Sequence, residues 1–291
     1  MNILSYVVYK FINRSIYYKM KYIIWYSIFV SYCFAFQRNN IFNYKRLKPN
    51  NAIAIFGSTS SLGKGTLQKC LSEYKQVVSL VNSNSNFTNL ESSEQHIIYK
   101  GDVTNYNDVV QIYKNHKITG TIVNLKEFTN KNALTKGTKN IIKSIKLYKN
   151  TSKRIVITTS IGCGSSITNI PFYMKFLIKS VLKNEFNDKN KQEQLFLSGC
   201  GKNLEFCILR HGPLNDDLYL DSSIAIIDKG YDEISREDLA SICYDAITLD
   251  TFPYIKKAIS VVTMKKKYSS NEEYFPTIHW SDSAKMRLPP K

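Results

Sequence analysis

Residues 52–66, AIAIFGSTSSLGKGT, constrain this chain more than any other stretch. An apolar run over 52–56 drives straight into a glycine-bearing turn, which opens a helix near Leu62. A strand, a tight turn and a helix N-terminus together make an anion cradle. The turn lets backbone N–H groups approach the anion, and the helix dipole favours negative charge there. Two spacings fit the stretch. Gly57-x-x-Ser60-x-x-Gly63 lies close to a G-x-x-G-x-x-G turn, whereas Gly63-Lys64-Gly65-Thr66 ends like a P-loop, G-x-x-x-x-G-K-[ST]. The P-loop spacing fails twice: its first glycine falls on Ser58, and Gly65 stands where Ser or Thr should follow Lys64. On this stretch alone, a plain strand–turn–helix without a ligand stays open.

The chain has 291 residues, room for one full α/β domain plus extensions. Its formal net charge of +17 suggests an anionic partner, but the distribution argues against nucleic acid. Residues 1–72 carry ten Lys/Arg and no acid, and the rest of the excess is lysine spread through an Asn- and Tyr-rich body. No arginine-rich or RNA-binding motif accompanies it. The six cysteines (33, 70, 163, 200, 207 and 243) are scattered without C-x-x-C or a Cys/His cluster. They read as free thiols, not as a disulfide framework or a zinc site.

Residues 1–49 read as a targeting presequence. Residues 22–37 form an uncharged apolar and aromatic run between Lys21 and Arg38, short for a membrane span and long enough for a signal-peptide core. From Met20 the string MKYIIWYSIFVSYCFA reads as a complete signal peptide, with cleavage after Ala35. The basic, acid-free segment that follows has the character of a transit peptide. Such two-part leaders send proteins through the secretory pathway into a secondary plastid, such as an apicoplast. A single N-terminal membrane anchor is the competing reading. Pro49-Asn50-Asn51 marks the edge of the folded domain, residues 50–268, and residues 269–291 read as a basic tail.

Within 50–268 apolar runs alternate with helical patterns, which predicts βαβ units and a doubly wound parallel sheet in a single α/β domain. Strands are expected over 52–56, 77–81, 96–99, 120–125, 154–159, 204–209 and 258–262. Helices are expected over 62–74, 105–114 (Tyr106, Val109, Val110 and Tyr113 inward), 133–148, one long stretch from Pro171 to Ser198-Gly199, and 237–246. A ligand in such a sheet sits at the carboxyl ends of the strands, near the first turn.

The order of landmarks resembles the atypical short-chain dehydrogenase/reductase family, in its NmrA-like NAD(P)-binding branch. The residues that carry the resemblance run from Gly57 to Ala240: Gly57–Gly63; Gly101-Asp102-Val103-Thr104; Gly137-Thr138 through Arg154-Ile155-Val156; Thr159-Ser160-Ile161-Gly162; Ser198-Gly199 before Phe206–Gly212; and Ile234-Ser235-Arg236-Glu237-Asp238-Leu239-Ala240. The resemblance implies a Rossmann-type fold holding a dinucleotide on Gly57, Ser58, Thr59, Ser60, Ser61, Leu62, Gly63 and Lys64. It further implies that Asp102 and Val103 line the adenine, that the loop after Val123-Asn124-Leu125 passes the nicotinamide ribose, and that Thr159 and Ser160 face the cleft. Ser60 replaces the family's middle glycine, where its Cβ would push the cofactor outward. At the end of the second strand an acid would accept from a ribose 2′-OH, but the residue is Asn82. With Lys64 able to meet a 2′-phosphate as a point charge, the balance is for NADP, with NAD as the alternative.

The superfamily's Tyr-x-x-x-Lys pair is missing: Tyr173 is followed by Leu177, and Lys179 lies four residues after Lys175. Ser160, Tyr173 and Lys179 are the catalytic candidates that remain. Tyr173 also shares helical spacing with Phe172, Phe176 and Leu177, which reads as a packing stripe. His211 stands beside the cleft, where a lone histidine is more often structural. Glu193 with Lys189 reads as a helix-face ion pair, and Glu237-Asp238 as the acidic start of a helix after Ser235. The function expected is an NADP-dependent oxidoreductase of a plastid acting on a small carbonyl or enone. The alternative is a dinucleotide-binding regulator or assembly factor without turnover, for which a protein partner is expected.

Overall fold

A computed structural model describes residues 52–73, 76–82, 93–126, 132–148, 152–216, 223–227 and 230–264. The proposed leader and the basic tail 269–291 lie outside the described residues. An eight-stranded sheet forms the centre, in the order β3-β2-β1-β4-β5-β6-β10-β8. Its strands are β1 (Ala52–Phe56), β2 (Val77–Val81), β3 (His96–Lys100), β4 (Ile118–Val123), β5 (Arg154–Ser160), β6 (Glu205–His211), β8 (Ser223–Ile227) and β10 (Lys257–Met264). All pair in parallel except β8, which runs antiparallel to β10. A small parallel pair, β7 (Leu214–Asn215) with β9 (Ile234–Ser235), lies apart from it. The helices are α1 (Ser61–Glu73), α2 (Tyr106–Asn115), α3 (Ala133–Leu147), α4 (Phe172–Ser180), α5 (Lys183–Leu197) and α6 (Arg236–Thr248), with a 3-10 turn at Gly164–Asn169.

Every residue of β1 and β2 is buried, because helices cover both faces of the sheet. Alternate residues of β1 feed different cores. Ile53 and Ile55 join Leu67 of α1 and Leu239 and Ile242 of α6, while Ala54 and Phe56 join Val109 and Ile112 of α2 and Ile141 of α3. α1 packs on α6 over one face; α2 packs on α3, and α3 on α5, over the other. The sequence order reverses between β1 and β4, where the chain winds outward in both directions. That reversal opens a crevice at the carboxyl ends of the strands.

The expected elements are present with shifted ends, and three differences have physical causes. The long helix after Pro171 is two helices. At Leu182 ψ reaches 12°, so the backbone leaves the helical path. The break also changes what is buried: Met174 and Ile178 of α4 meet Phe186, at the start of α5, in a third cluster with Ile161 and Ile170, whereas Phe196, near the end of α5, enters the core that also holds Phe56 and Ile141. In α2 the buried face is Val109, Ile112 and Tyr113; Tyr106 and Val110 are only half-buried. β8 extends the sheet beyond β10 as an antiparallel edge that the alternating pattern does not announce.

Candidate functional site

The turn after β1 is held by backbone contact. Gly57 has φ +92°, and a methyl group there would overlap the Asn124 carbonyl. Gly63 lies so close beneath Gly57 that a Cβ would run into the Gly57 carbonyl. Ser60 acts as the N-cap of α1: its Oγ accepts from the Gly63 N–H at 2.9 Å and donates to the Gly57 carbonyl at 3.0 Å. The hydroxyl therefore closes the turn on itself, and one of the helix's first N–H groups is already satisfied. Ser58 is buried, and among the described residues its hydroxyl has no hydrogen-bond partner.

A cleft of about 590 Å³ runs along the strand ends. Gly57, Thr59, Ser60, Ser61 and Leu62 line it from the turn, with Leu80 and Asn82 from the end of β2. Gly101, Asp102 and Val103 follow β3, and Asn124, Leu125 and Lys126 follow β4. Thr158, Lys189, His211 and Leu214 close the far wall. Of the cofactor residues singled out from the sequence, Ser58, Gly63, Lys64, Thr159 and Ser160 do not line the cleft; Ser160 reaches it only through Lys189. Ser58 and Gly63 lie beneath the turn, and Lys64 is exposed on α1. Asp102 also has a structural task, since one carboxylate oxygen accepts from the Thr104 N–H at 2.7 Å. Asn124 ties the floor together: its amide donates to Thr66 at 2.9 Å, and its side-chain oxygen accepts from Thr158 at 3.2 Å.

Thr159 corrects an expectation. It is fully buried and donates to Glu193 Oε1 at 2.7 Å, away from the cleft; Thr158, one residue earlier, is the residue of β5 that lines it. Glu193 is corrected too. Its partner is Arg210, at 2.6 Å, not Lys189, and the two side chains are only 1% and 4% exposed. Arg210 reaches Glu193 through two nitrogens and donates to Ser165 Oγ at 3.1 Å. This satisfied buried pair holds the ends of β5 and β6 against α5.

Lys189 instead points to the site. Its Nζ donates to Ser160 Oγ at 2.9 Å and pairs with Glu185, one turn earlier, at 2.5 Å. Ser160, the last residue of β5, thus meets a cation lining the cleft. The separation of four residues that a Tyr/Lys pair would need is filled by Glu185 and Lys189. Tyr231 lies within the electrostatic influence of Lys189, Glu185 and Tyr173, and burial raises its pKa.

His211 lines the cleft, and burial lowers its pKa to about 4, with Lys189 and Arg236 pushing the same way. Its Nδ1 lies 2.7 Å from the Gly212 carbonyl. A carbonyl only accepts, so the neutral ring carries its proton on Nδ1 and leaves Nε2 as an acceptor. At neutral pH His211 is not an acid.

Tyr173 and Lys179 are not brought to the cleft. Phe172, Tyr173 and Phe176 are 83%, 67% and 68% exposed, so the expected packing stripe faces outward; Met174 and Ile178 form the inner face of α4. Sequence reasoning placed Lys189 in a surface pair and gave Lys126 no role. A lysine becomes a site residue here only through the position of α5 against β5.

Residues 57–250 match the family model described as NAD(P)H-binding. The chain belongs to this NAD(P)H-binding family. No curated protein matches it. Among solved structures it is similar to ChuY, an anaerobilin reductase from Escherichia coli O157:H7, at 18% identity and TM-score 0.60, over 75% of this chain and all of that one. A short-chain dehydrogenase/reductase from Veillonella parvula in complex with NADP aligns at 15% identity and TM-score 0.58, over 73% and 94%. The oxidoreductase YlbE from Lactococcus lactis aligns at 18% identity and TM-score 0.57, over 74% and 91%. At such identities these structures share the fold, and the resemblance to atypical short-chain dehydrogenase/reductases holds at that level. The family implies a dinucleotide, and the site fits one: the backbone at Gly57 and Gly63 leaves no room for a Cβ, and a helix N-terminus opens onto the cleft. Among the described residues no helix is long and apolar enough to cross a membrane.

Proposed function

We propose that this chain is an NADP-dependent oxidoreductase that reduces a small carbonyl or enone compound in a plastid. The observation that carries the reading is the Lys189–Ser160 hydrogen bond, whose lysine lines the cleft that the glycine turn opens. Reduction adds a hydride, which a nicotinamide dinucleotide supplies when bound, and a proton, which the protein's own residues must deliver. Ser160 Oγ accepts from the Lys189 ammonium, so its own O–H remains to donate to a substrate oxygen. The ammonium stabilises negative charge developing on that oxygen and replaces the proton given up. Glu185 orients the ammonium, and neutral His211 offers Nε2 to a hydroxyl.

Asn82 and the absence of an acid at the end of β2 favour NADP. Titration of the purified chain with NADPH, NADH and ATP, followed by NADPH consumption against a panel of carbonyls, enones and anaerobilin, tests the reading. NADPH bound more tightly than NADH and consumed with one substrate class is the expected result. Failure to bind either dinucleotide at millimolar concentration would falsify it.

A second reading, a dinucleotide-binding regulator without turnover, is favoured by the outward apolar face of α4, a surface suited to a protein partner. Dinucleotide binding with no consumption across the panel selects it. The plastid location rests on the leader sequence. Fluorescent fusions of residues 1–60 and 20–60 test it, and a diffuse cytosolic signal from both removes it.

A further inference from the structure

The N-termini of α1 and α6 meet at one side-chain pair. Arg236, the first residue of α6, donates from Nε to Ser61 Oγ at 3.2 Å, and Ser61 is the first residue of α1 and lines the cleft. The Nη1 edge of the same guanidinium rests on Asp216 at 2.6 Å. The two partners are unequal: the Arg236 side chain is 25% exposed, that of Asp216 85%. An ion pair with so exposed an acid is a weak hold, easily exchanged for a better anion.

The helix itself gives no reason for a cation there. The first turn of α6 lies at the positive end of its dipole, which favours Glu237 and Asp238 and disfavours Arg236. The backbone is nonetheless fixed, because the buried Ser235 caps the helix by accepting from the Asp238 N–H at 3.0 Å. A planar fork of donors is thus anchored beside the helix end where the glycine turn gathers an anion. The side of the sheet also matters. α6 packs over β4 and β5, across β1 from β2, so Arg236 lies away from Asn82 and the position of a ribose 2′-phosphate.

We propose that Arg236 is a diphosphate-binding residue: with a dinucleotide in the cleft, its guanidinium exchanges Asp216 for the anionic oxygens at the N-terminus of α1. This rests on the turn binding a dinucleotide and adds a residue from outside the turn. Both NADPH and NADH carry the diphosphate, so Arg236 serves both alike.

The test is fluorescence titration of the full-length chain with NADPH and with NADH, for the wild type, Arg236→Gln, Arg236→Lys and Asp216→Asn, with thermal melts as a folding control. Arg236→Gln is expected to weaken both dinucleotides equally, by about 10- to 100-fold, as for a lost charge-assisted bond. Arg236→Lys, which keeps the charge without the fork, falls between, and it carries the test if Arg236→Gln does not fold. Asp216→Asn, which frees the guanidinium, retains or tightens binding. Unchanged affinity in both Arg236 variants overturns the proposal, as does a loss confined to NADPH. So does an Asp216→Asn loss as large as that of Arg236→Gln, which would make the ion pair itself the structural element. A wild type that binds neither dinucleotide is a different failure, since it removes the reading of the turn first.

Discussion

Lys189 and Ser160 meet at 2.9 Å, joining the middle of α5 to the last residue of β5. The contact places a cation of the far wall on the hydroxyl that ends β5. If Lys189 holds and delivers the proton, Lys189→Met lowers kcat by about 100-fold, in the range of a lost general acid. NADPH affinity changes little, because the glycine turn is untouched. Stopped-flow reduction beside equilibrium titration separates the two quantities. An equal loss in both sends Lys189 back to a structural role.

The buried Glu193–Arg210 pair stands behind that contact. Removing one partner leaves the other charge buried and unpaired, so Glu193→Ala is expected to cost about 3–5 kcal/mol. Replacing both, as in Glu193→Leu with Arg210→Met, recovers most of the loss, because no charge is then stranded. Urea denaturation of the three variants measures this. A mild effect in the single variant means that water reaches the pair.

The sheet and the turn were readable because their signals are local. β1 and β2 are unbroken apolar runs, and Gly57 to Gly63 sit within one turn of each other. The chemistry was not local. Ser160 and Lys189 are 29 residues apart, and Ser61 and Arg236 are 175 apart. Only the packing of α5 on β5 and of α1 on α6 brings them together. Thr158 and Thr159 show a second limit. Alternation says that they face opposite sides of β5, but not which side is the cleft; the burial of Glu193 against Thr159 decides it. α4 shows a third: Phe172 with Phe176 and Met174 with Ile178 share the same period, so spacing alone cannot choose the inner face.

Ser60 offers a trade between stability and binding. Its hydroxyl occupies the Gly63 N–H that a glycine would leave open to a phosphate. Ser60→Gly therefore lowers stability by only a few tenths of a kcal/mol, the usual N-cap difference between these residues. It also tightens dinucleotide binding. A melt and a titration on the same sample check both signs. Weaker binding in the variant shows that the capped turn is the productive shape.

His211 sets a pH dependence of stability. Its pKa is about 4 in the fold against 6.5 for a free imidazole, because burial beside Lys189 and Arg236 disfavours the charged ring. Between these values the unfolded chain binds a proton that the native ring refuses, so stability falls as pH drops from 6.5 towards 4. Above 6.5 both states are neutral, and below about 4 both are charged, so this group adds no further slope. The upper bound is about 1.4 kcal/mol per pH unit within the window, reduced because the ring edges onto the open cleft. His96 and His116 are lowered by burial as well and contribute in the same direction. His211→Gln should therefore shrink, not abolish, the loss of stability between pH 7 and pH 5. Urea midpoints of wild type and variant at those two pH values measure the difference. Equal losses in the two proteins would show that His211 takes up its proton as readily folded as unfolded.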